Sequence, residues 1–264
     1  MKTPGFCENY TEISNLVSDD ISKINEELTA AVSINEQAEK FISAPSKRIR
    51  PLLAVLFMRA QGREIRKEHY TFLSAIELIH NASLIHDDII DGDETRRSQK
   101  TLNSELGNKL ALITGDYLLS LAITKIGSLN NNQIINMLSK TMENMCLGEF
   151  SQYSKKFRPL TLEEYLLKTE QKTAGLFQAA IQGCEILSAS EFSGFKASDF
   201  GIAFQIRNDL SGMQADRDRG IYNTPATRAL LNEYIDKVLE SINFLEDNEY
   251  KRAIEALSEL LKYG

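Results

Sequence analysis

The sequence predicts an all-α fold, a single domain of about ten helices. Three observations carry the prediction. Five prolines and fourteen glycines in 264 residues leave long stretches without helix breakers. Apolar residues recur at three- and four-residue spacing, as in Phe72, Ile76, Ile79 and Ser83 with Leu73 and Leu84 between them. Turn-forming residues gather in short clusters rather than in linkers, so residues 1–264 are expected to fold as one domain.

Taken in order, the breaks fall at SAPSKRIRP (43–51), GDETRRSQKT (92–101), SLNNNQ (128–133), KKFRPLT (155–161) and RGIYNTP (219–225). Between them, the segments 72–91, 109–126 and 196–210 are apolar on more than one face. Such helices belong at the centre of a bundle rather than on its rim. No internal repeat or low-complexity tract interrupts the pattern.

Composition narrows the partners. With 37 acidic and 30 basic residues the net charge is −7, which argues against general affinity for nucleic acid or anionic lipid. Any anionic ligand needs a dedicated site. Cys7, Cys146 and Cys184 are odd in number, far apart and without CxxC spacing, so neither a disulfide framework nor a zinc site is expected. A reducing cytoplasm fits this usage. No apolar run reaches the ~20 residues that span a bilayer. The N-terminus MKTPGFCENYTE has no basic segment leading into an apolar one. A cytoplasmic protein with no transmembrane segment is expected.

The chemistry concentrates in SLIHDDIIDGDETRR at 83–97. On a helix over 72–91, Asp87 and Asp91 lie one turn apart on one face, with Asp88 beside the first. An isolated acidic helix end is most simply a solvated surface. Here, however, acids at a helix C-terminus oppose the macrodipole at roughly 0.3–1 kcal/mol per charge. An arrangement that costs stability is more easily explained by ligand binding, and convergent hard oxygens select Mg²⁺ or Mn²⁺. Asp93 and Glu94 are assigned no ligand and expected in a solvated turn.

Cations follow directly. Arg96 and Arg97 lie just beyond the acids, and Lys47 and Arg50 are three apart in SKRIRP. Each pair alone reads as solvated surface; together with an acidic metal cluster they suggest one pocket for a polyphosphate. His80 lies two turns before Asp87, where it is equally a core histidine. Lys172 and Thr173 sit in KTEQKTAGLF, where Lys168 one turn back makes a solvated lysine stripe the competing reading. The segment 196–210 ends in FQIRND, with Gln205 one turn before Asp209. No Ser-His-Asp or Cys-His order is compelling, and neither a Walker A loop nor GxGxxG is present, so nucleotide phosphates are not the expected ligand.

In chain order these segments resemble the trans-isoprenyl diphosphate synthases, the polyprenyl synthetase family. SKRIRP resembles the family's G-K-R-x-R-P, ELIHNASLIHDDIID its first aspartate-rich helix, and TRRSQKTLN the R-R-G-K-x-T that follows. GDYLLSLA, KTAGLF, FGIAFQIRNDL and GIYNTP match later signposts, so the likeness runs over residues ~40–225. It implies an orthogonal helical bundle around a central cavity, of isoprenoid synthase type, and a homodimer. It also implies a reaction: an allylic diphosphate ionises and the double bond of isopentenyl diphosphate attacks the cation, giving a longer all-trans polyprenyl diphosphate and pyrophosphate. By the family pattern Asp87, Asp88 and Asp91 hold Mg²⁺, with Asp209 contributing from the second motif. Arg96, Lys172, Thr173 and Gln205 attend the allylic diphosphate, while Lys47, Arg50, His80 and Arg97 bind isopentenyl diphosphate. Asp87, Asp91 and Lys172 are the expected catalytic residues.

The resemblance also speaks to product length. The growing chain runs down the helix from the aspartates, so Ile79, Ala82 and Ser83 form its pocket. Ala82 and Ser83 are small where short-product members carry aromatics, which favours C20 or longer.

Two departures stand out. The second motif is Asn208-Asp209-Leu210-Ser211-Gly212 instead of D-D-x-x-D, and the chain looks shortened after Gly212 and after Pro225. Two other readings follow: a class I terpene cyclase, against which Lys47, Arg50 and Arg97 argue, and a weakly active or non-catalytic subunit of a heteromeric synthase.

Overall fold

The computed structural model describes residues 6–96, 99–155, 158–218 and 225–263. As expected, it is all-α. The first half runs α1 (Phe6–Asn15), α2 (Ser18–Val32), α3 (Glu36–Ser43), α4 (Ile49–Ala60) and α5 (Lys67–Asp91). Two short strands, β1 (Thr95–Arg96) and β2 (Gln99–Lys100), precede α6 (Leu102–Leu106), α7 (Asn108–Ser128) and α8 (Asn132–Ser154). Then come α9 (Leu162–Thr169), a π-helical turn (Glu170–Ala174), α10 (Gly175–Leu187) and α11 (Ala197–Asp218). The chain closes with α12 (Arg228–Ser241), α13 (Glu249–Glu259) and a 3₁₀ turn (Leu260–Tyr263).

Helix ends follow local chemistry. Thr161 and Glu164 form a reciprocal capping box at the start of α9, the Thr161 hydroxyl accepting from the Glu164 amide at 3.2 Å and the Glu164 carboxylate from the Thr161 amide at 3.1 Å. Asn35, Thr227 and Asn248 cap α3, α12 and α13 in the same sense.

The chain divides into two compact units made of interleaved segments. One comprises Asp19–Leu52 and Ile65–Asn132; the other holds the described parts of Met1–Ser18, Leu53–Glu64 and Gln133–Gly264. The divisions fall within or beside helices, which is why no linker marks them in the sequence.

In the first unit α5 packs along α7, its buried row including Phe72, Leu73, Ile76, Ile79 and Ala82. The facing stripe of α7 is Ala111, Thr114, Gly115, Leu118 and Ala122. A Cβ on Gly115 would fall 2.4 Å from His86 Nε2, so the missing side chain admits that ring. Tyr70 donates to Asp20 at 2.7 Å, and Arg48 donates to Glu77 at 3.3 Å and to the Ile42 carbonyl at 2.6 Å, tying α2 and α3 to α5.

Two sequence expectations need correcting here. The segment 109–126 is not enclosed on all faces: Leu112, Ile113 and Ile123 of α7 are 48%, 62% and 56% exposed. In addition, α7 is long and apolar enough to cross a membrane by length and composition, with 33% of its most apolar window buried. Lys109, Asp116 and Lys125 break the run of apolar letters without offsetting its average, which is why scanning for an unbroken run passes over it.

The second unit is organised by aromatics. Phe57 stacks on Phe195 with centroids 4.6 Å apart and meets Phe244 edge-on at 6.3 Å. Phe177 contacts Phe200 and Phe204 at 5.5 and 5.8 Å, closing α10 onto α11. Helix α11 runs on to Asp218, so Asp209 lies mid-helix and not at the helix end expected near 210. Gly212 alone does not stop it, since a single glycine costs only ~1 kcal/mol within a helix and no proline follows until Pro225.

Candidate active site

At the end of α5, Gly92 turns the chain with φ 68°, its amide donating back to the Asp88 carbonyl. The chain then folds into the antiparallel pair Thr95↔Lys100 and Arg96↔Gln99, strands absent from the all-helical expectation. Thr101 locks the return: its hydroxyl donates to the Asp93 carbonyl at 2.7 Å and accepts from the Ser104 amide to cap α6. Asn103 adds donors to the carbonyls of Asp93 at 3.1 Å and Asp88 at 3.3 Å. Asp93, expected in a solvated turn, is thus half-buried and anchored, while Glu94 is exposed.

The turn delivers Arg96 to Asp88. Its Nε and Nη2 approach Asp88 Oδ1 at 2.8 and 2.6 Å, and Asp88 is only 2% exposed. Burial pushes the Asp88 carboxyl above its ordinary range and Asp91 and Asp93 push the same way, while Arg96 pulls it down. Burial lowers the Arg96 pKa, but Asp88, Asp87 and Asp93 outweigh it and the net direction is up. Asp88 is therefore turned to the interior, whereas Asp87 is half-buried and Asp91 exposed. Arg97 lies outside the described residues.

The basic segment SKRIRP splits by depth. Lys47 is exposed ahead of α4; Arg50, in its first turn, is 5% exposed, with burial lowering its pKa to about 10 against the opposing charge of Glu77. Arg48, which sequence reasoning passed over, takes φ 45° and is spent on Glu77, Asn25 and the Ile42 carbonyl. His80 is half-buried on α5. Ile79 and Ala82 are each 2% exposed; Ser83 is half-buried, its hydroxyl donating to the His80 carbonyl at 2.8 Å.

The second unit gathers the later predicted residues. Thr173 Oγ1 donates to Gln205 Oε1 at 3.2 Å, Gln205 Nε2 to Asp209 Oδ1 at 2.8 Å, and Tyr165 Oη to Asp209 Oδ2 at 2.6 Å. Both Asp209 oxygens are thereby engaged. Lys172 pairs with Glu149 on α8. The sequence held no local signal for Tyr165 or Glu149, whose partners are remote in the chain. Nor did it announce the π turn that carries Lys172 and Thr173.

Among the described residues no group of three or more His, Cys, Asp or Glu is assembled to hold a metal. Asp87, half-buried, and Asp91, exposed, are two carboxylates one turn apart at the end of α5. That fits Mg²⁺, which takes one or two carboxylates and completes its shell with water and substrate phosphate.

A family model described as polyprenyl synthetase matches residues 32–220. The chain belongs to the polyprenyl synthetase family. Among relatives, solanesyl diphosphate synthase 2 of Arabidopsis thaliana is 31% identical over 268 residues, covering 91% of this polyprenyl synthetase and 64% of the relative. Octaprenyl diphosphate synthase of Escherichia coli is 33% identical, with coverages of 80% and 68%. Heptaprenyl diphosphate synthase component 2 of Geobacillus stearothermophilus is 32% identical, with coverages of 92% and 78%. The chain thus spans 64% of the length of the Arabidopsis relative. In fold it is similar to a decaprenyl diphosphate synthase from Rhodobacter capsulatus, with a TM-score of 0.83, 21% identity and coverages of 96% and 98%. It is equally similar to a polyprenyl synthase from Caulobacter crescentus complexed with calcium and isoprenyl diphosphate, with a TM-score of 0.84, 20% identity and coverages of 97% and 98%.

Proposed function

We propose that this polyprenyl synthetase joins isopentenyl diphosphate to an allylic diphosphate, releasing pyrophosphate and a longer all-trans polyprenyl diphosphate of C20 or more. The observation that carries the reading is the end of α5, where half-buried Asp87 and exposed Asp91 lie one turn apart and Arg96 sits on buried Asp88. The names of the solanesyl, octaprenyl and heptaprenyl relatives support a long product. Bound Mg²⁺ would neutralise charge developing on the departing diphosphate, and Asp87 and Asp91 are the residues that would hold it. The calcium in the Caulobacter relative supports a divalent cation here.

The chain's own residues do the remaining work. Asp88 anchors Arg96, whose guanidinium retains donors beyond those spent on the carboxylate, so the cation is presented at a set position. Lys172 and Thr173 add a charge and a hydroxyl for the allylic group, with Gln205 orienting Thr173. Lys47, Arg50, His80 and Arg97 serve isopentenyl diphosphate. Fixed cations that meet growing negative charge lower the barrier to ionisation. The small side chains of Ala82 and Ser83 on α5 support a wall for the tail.

The open apolar face of α7 supports a homodimer, and the unpaired cysteines Cys146 and Cys184 support a cytoplasmic setting. A second reading, a subunit needing a partner chain, is favoured by Asn208 and Gly212 in the second motif and by the word "component" in the Geobacillus relative's name.

Purified protein incubated with Mg²⁺, isopentenyl diphosphate and farnesyl diphosphate decides between them. Elongated products on reversed-phase chromatography are expected. Turnover only after adding a second subunit favours the alternative, and a cyclised hydrocarbon overturns both.

A further inference from the structure

We propose that Glu149 is a positioning residue that sets Lys172 for the allylic diphosphate. This rests on the reading of Lys172 given above. Three observations converge on it. Glu149 forms an ion pair with Lys172, and the side chains of the two are only 17% and 20% exposed. The Glu149 carboxylate oxygens are closed to solvent and, among the described residues, accept no hydrogen bond from another group, so the ammonium is their compensation. A buried carboxylate left without its cation is strongly unfavourable, which gives the pair a definite geometry.

The backbone is matched to the same purpose. Gly148, buried on α8, faces the π turn so closely that a Cβ there would lie 2.9 Å from the Lys172 amide nitrogen and 3.1 Å from Cβ of Gln171 and of Lys172. The π turn Glu170–Ala174 lies against α8 at Gly148 and carries Lys172, whose ammonium pairs with Glu149. A lysine stem has four rotatable bonds and loses affinity for phosphate when its ammonium wanders. Glu149 removes that freedom before the substrate arrives. The ammonium has three donors, so holding one carboxylate leaves it competent to meet a diphosphate oxygen.

The test is a binding cycle on the full chain with Mg²⁺, reading farnesyl diphosphate and isopentenyl diphosphate affinities by calorimetry. Glu149→Ala and Lys172→Ala are each expected to weaken farnesyl diphosphate about tenfold, and the double variant no further than Lys172→Ala alone. Glu149→Gln keeps an acceptor for the ammonium and stays within about threefold of the parent, and isopentenyl diphosphate affinity moves less than about twofold throughout. Should Glu149→Ala not fold by circular dichroism, Gly148→Ala carries the same cycle, since its added carbon displaces the Lys172 backbone. Losses that multiply in the double variant, a Glu149→Gln loss equal to Glu149→Ala, or equal weakening of both ligands would overturn the positioning role alone. A parent protein that does not bind farnesyl diphosphate would overturn the proposed function and this inference with it.

Discussion

Replacing Arg96 by Ala should destabilise the protein in a pH-dependent way, through Asp88. In the parent, Asp88 is 2% exposed and receives the guanidinium at 2.6 and 2.8 Å. Removing one partner of a fully buried pair costs roughly 3–5 kcal/mol; because Arg96 is itself 31% exposed, we expect about 2–3 kcal/mol. For a chain of this size that is an apparent Tm lower by roughly 4–10 °C, read by far-UV circular dichroism. Burial already raises the Asp88 pKa and Arg96 opposes it. A carboxyl with a raised folded pKa contributes stability that is whole below its unfolded value and is lost as pH rises through the folded one. Without Arg96 the folded value climbs, so that loss extends to higher pH. The deficit should be small near about pH 4 and full by about pH 8. Adding Asp88→Asn to Arg96→Ala should recover most of it, since no buried charge is then left. A Tm drop of equal size at both pH values, or no recovery in the double variant, would refute the reasoning.

Three further outcomes are expected. Ser83→Phe, which puts an aromatic ring at a half-buried position of α5, should shift products to shorter chains on chromatography; an unchanged distribution would sink the pocket assignment. Gly201→Ala should lower Tm by an overpacking cost of ~1–3 kcal/mol, because its Cβ would lie 2.6 Å from the Ala174 backbone and 2.9 Å from Phe177; an unchanged melt would mean that α11 slides freely past α10. Iodoacetamide applied to folded protein at about pH 8 should modify exposed Cys146 and spare Cys184, whose thiol burial pushes far up. Peptide mass spectrometry reads both sites, and rapid labelling of Cys184 would contradict its burial.

The fold class was legible because helical periodicity is local. Phe72, Ile76 and Ile79 share a face whatever lies beyond them, and the predicted breaks at 43–51, 128–133 and 155–161 all coincide with helix ends. What escaped was set by neighbours. The π turn at Lys172 has ordinary helix-forming letters, and its register depends on Gly148 passing alongside. The strand pair β1–β2 depends on Thr101 and Asn103 reaching back to Asp93. The apolar letters of α7 reveal two apolar faces without saying that only one meets α5.

The candidate site divides along the same line. Asp87, Asp88 and Asp91 were found from spacing alone, but spacing treats all three as convergent, and burial separates them. Asp88 pairs with Arg96 in the interior, while Asp87 is half-buried and Asp91 exposed. Asp209 shows the effect more sharply. It was singled out as the surviving acid of a depleted motif, yet Tyr165 and Gln205 donate to its two oxygens. A carboxylate held from both sides is fixed in orientation, and with about four lone-pair sites on its two oxygens it keeps acceptor capacity beyond these two bonds. With Asn208 and Gly212 beside it on α11, the negative charge there is one where the family pattern has three. The chain of Tyr165, Asp209, Gln205 and Thr173 fixes a hydroxyl beside Lys172. Of the acids in the two motifs, three therefore fall within five residues of α5 and one on α11, so the negative charge is uneven between them.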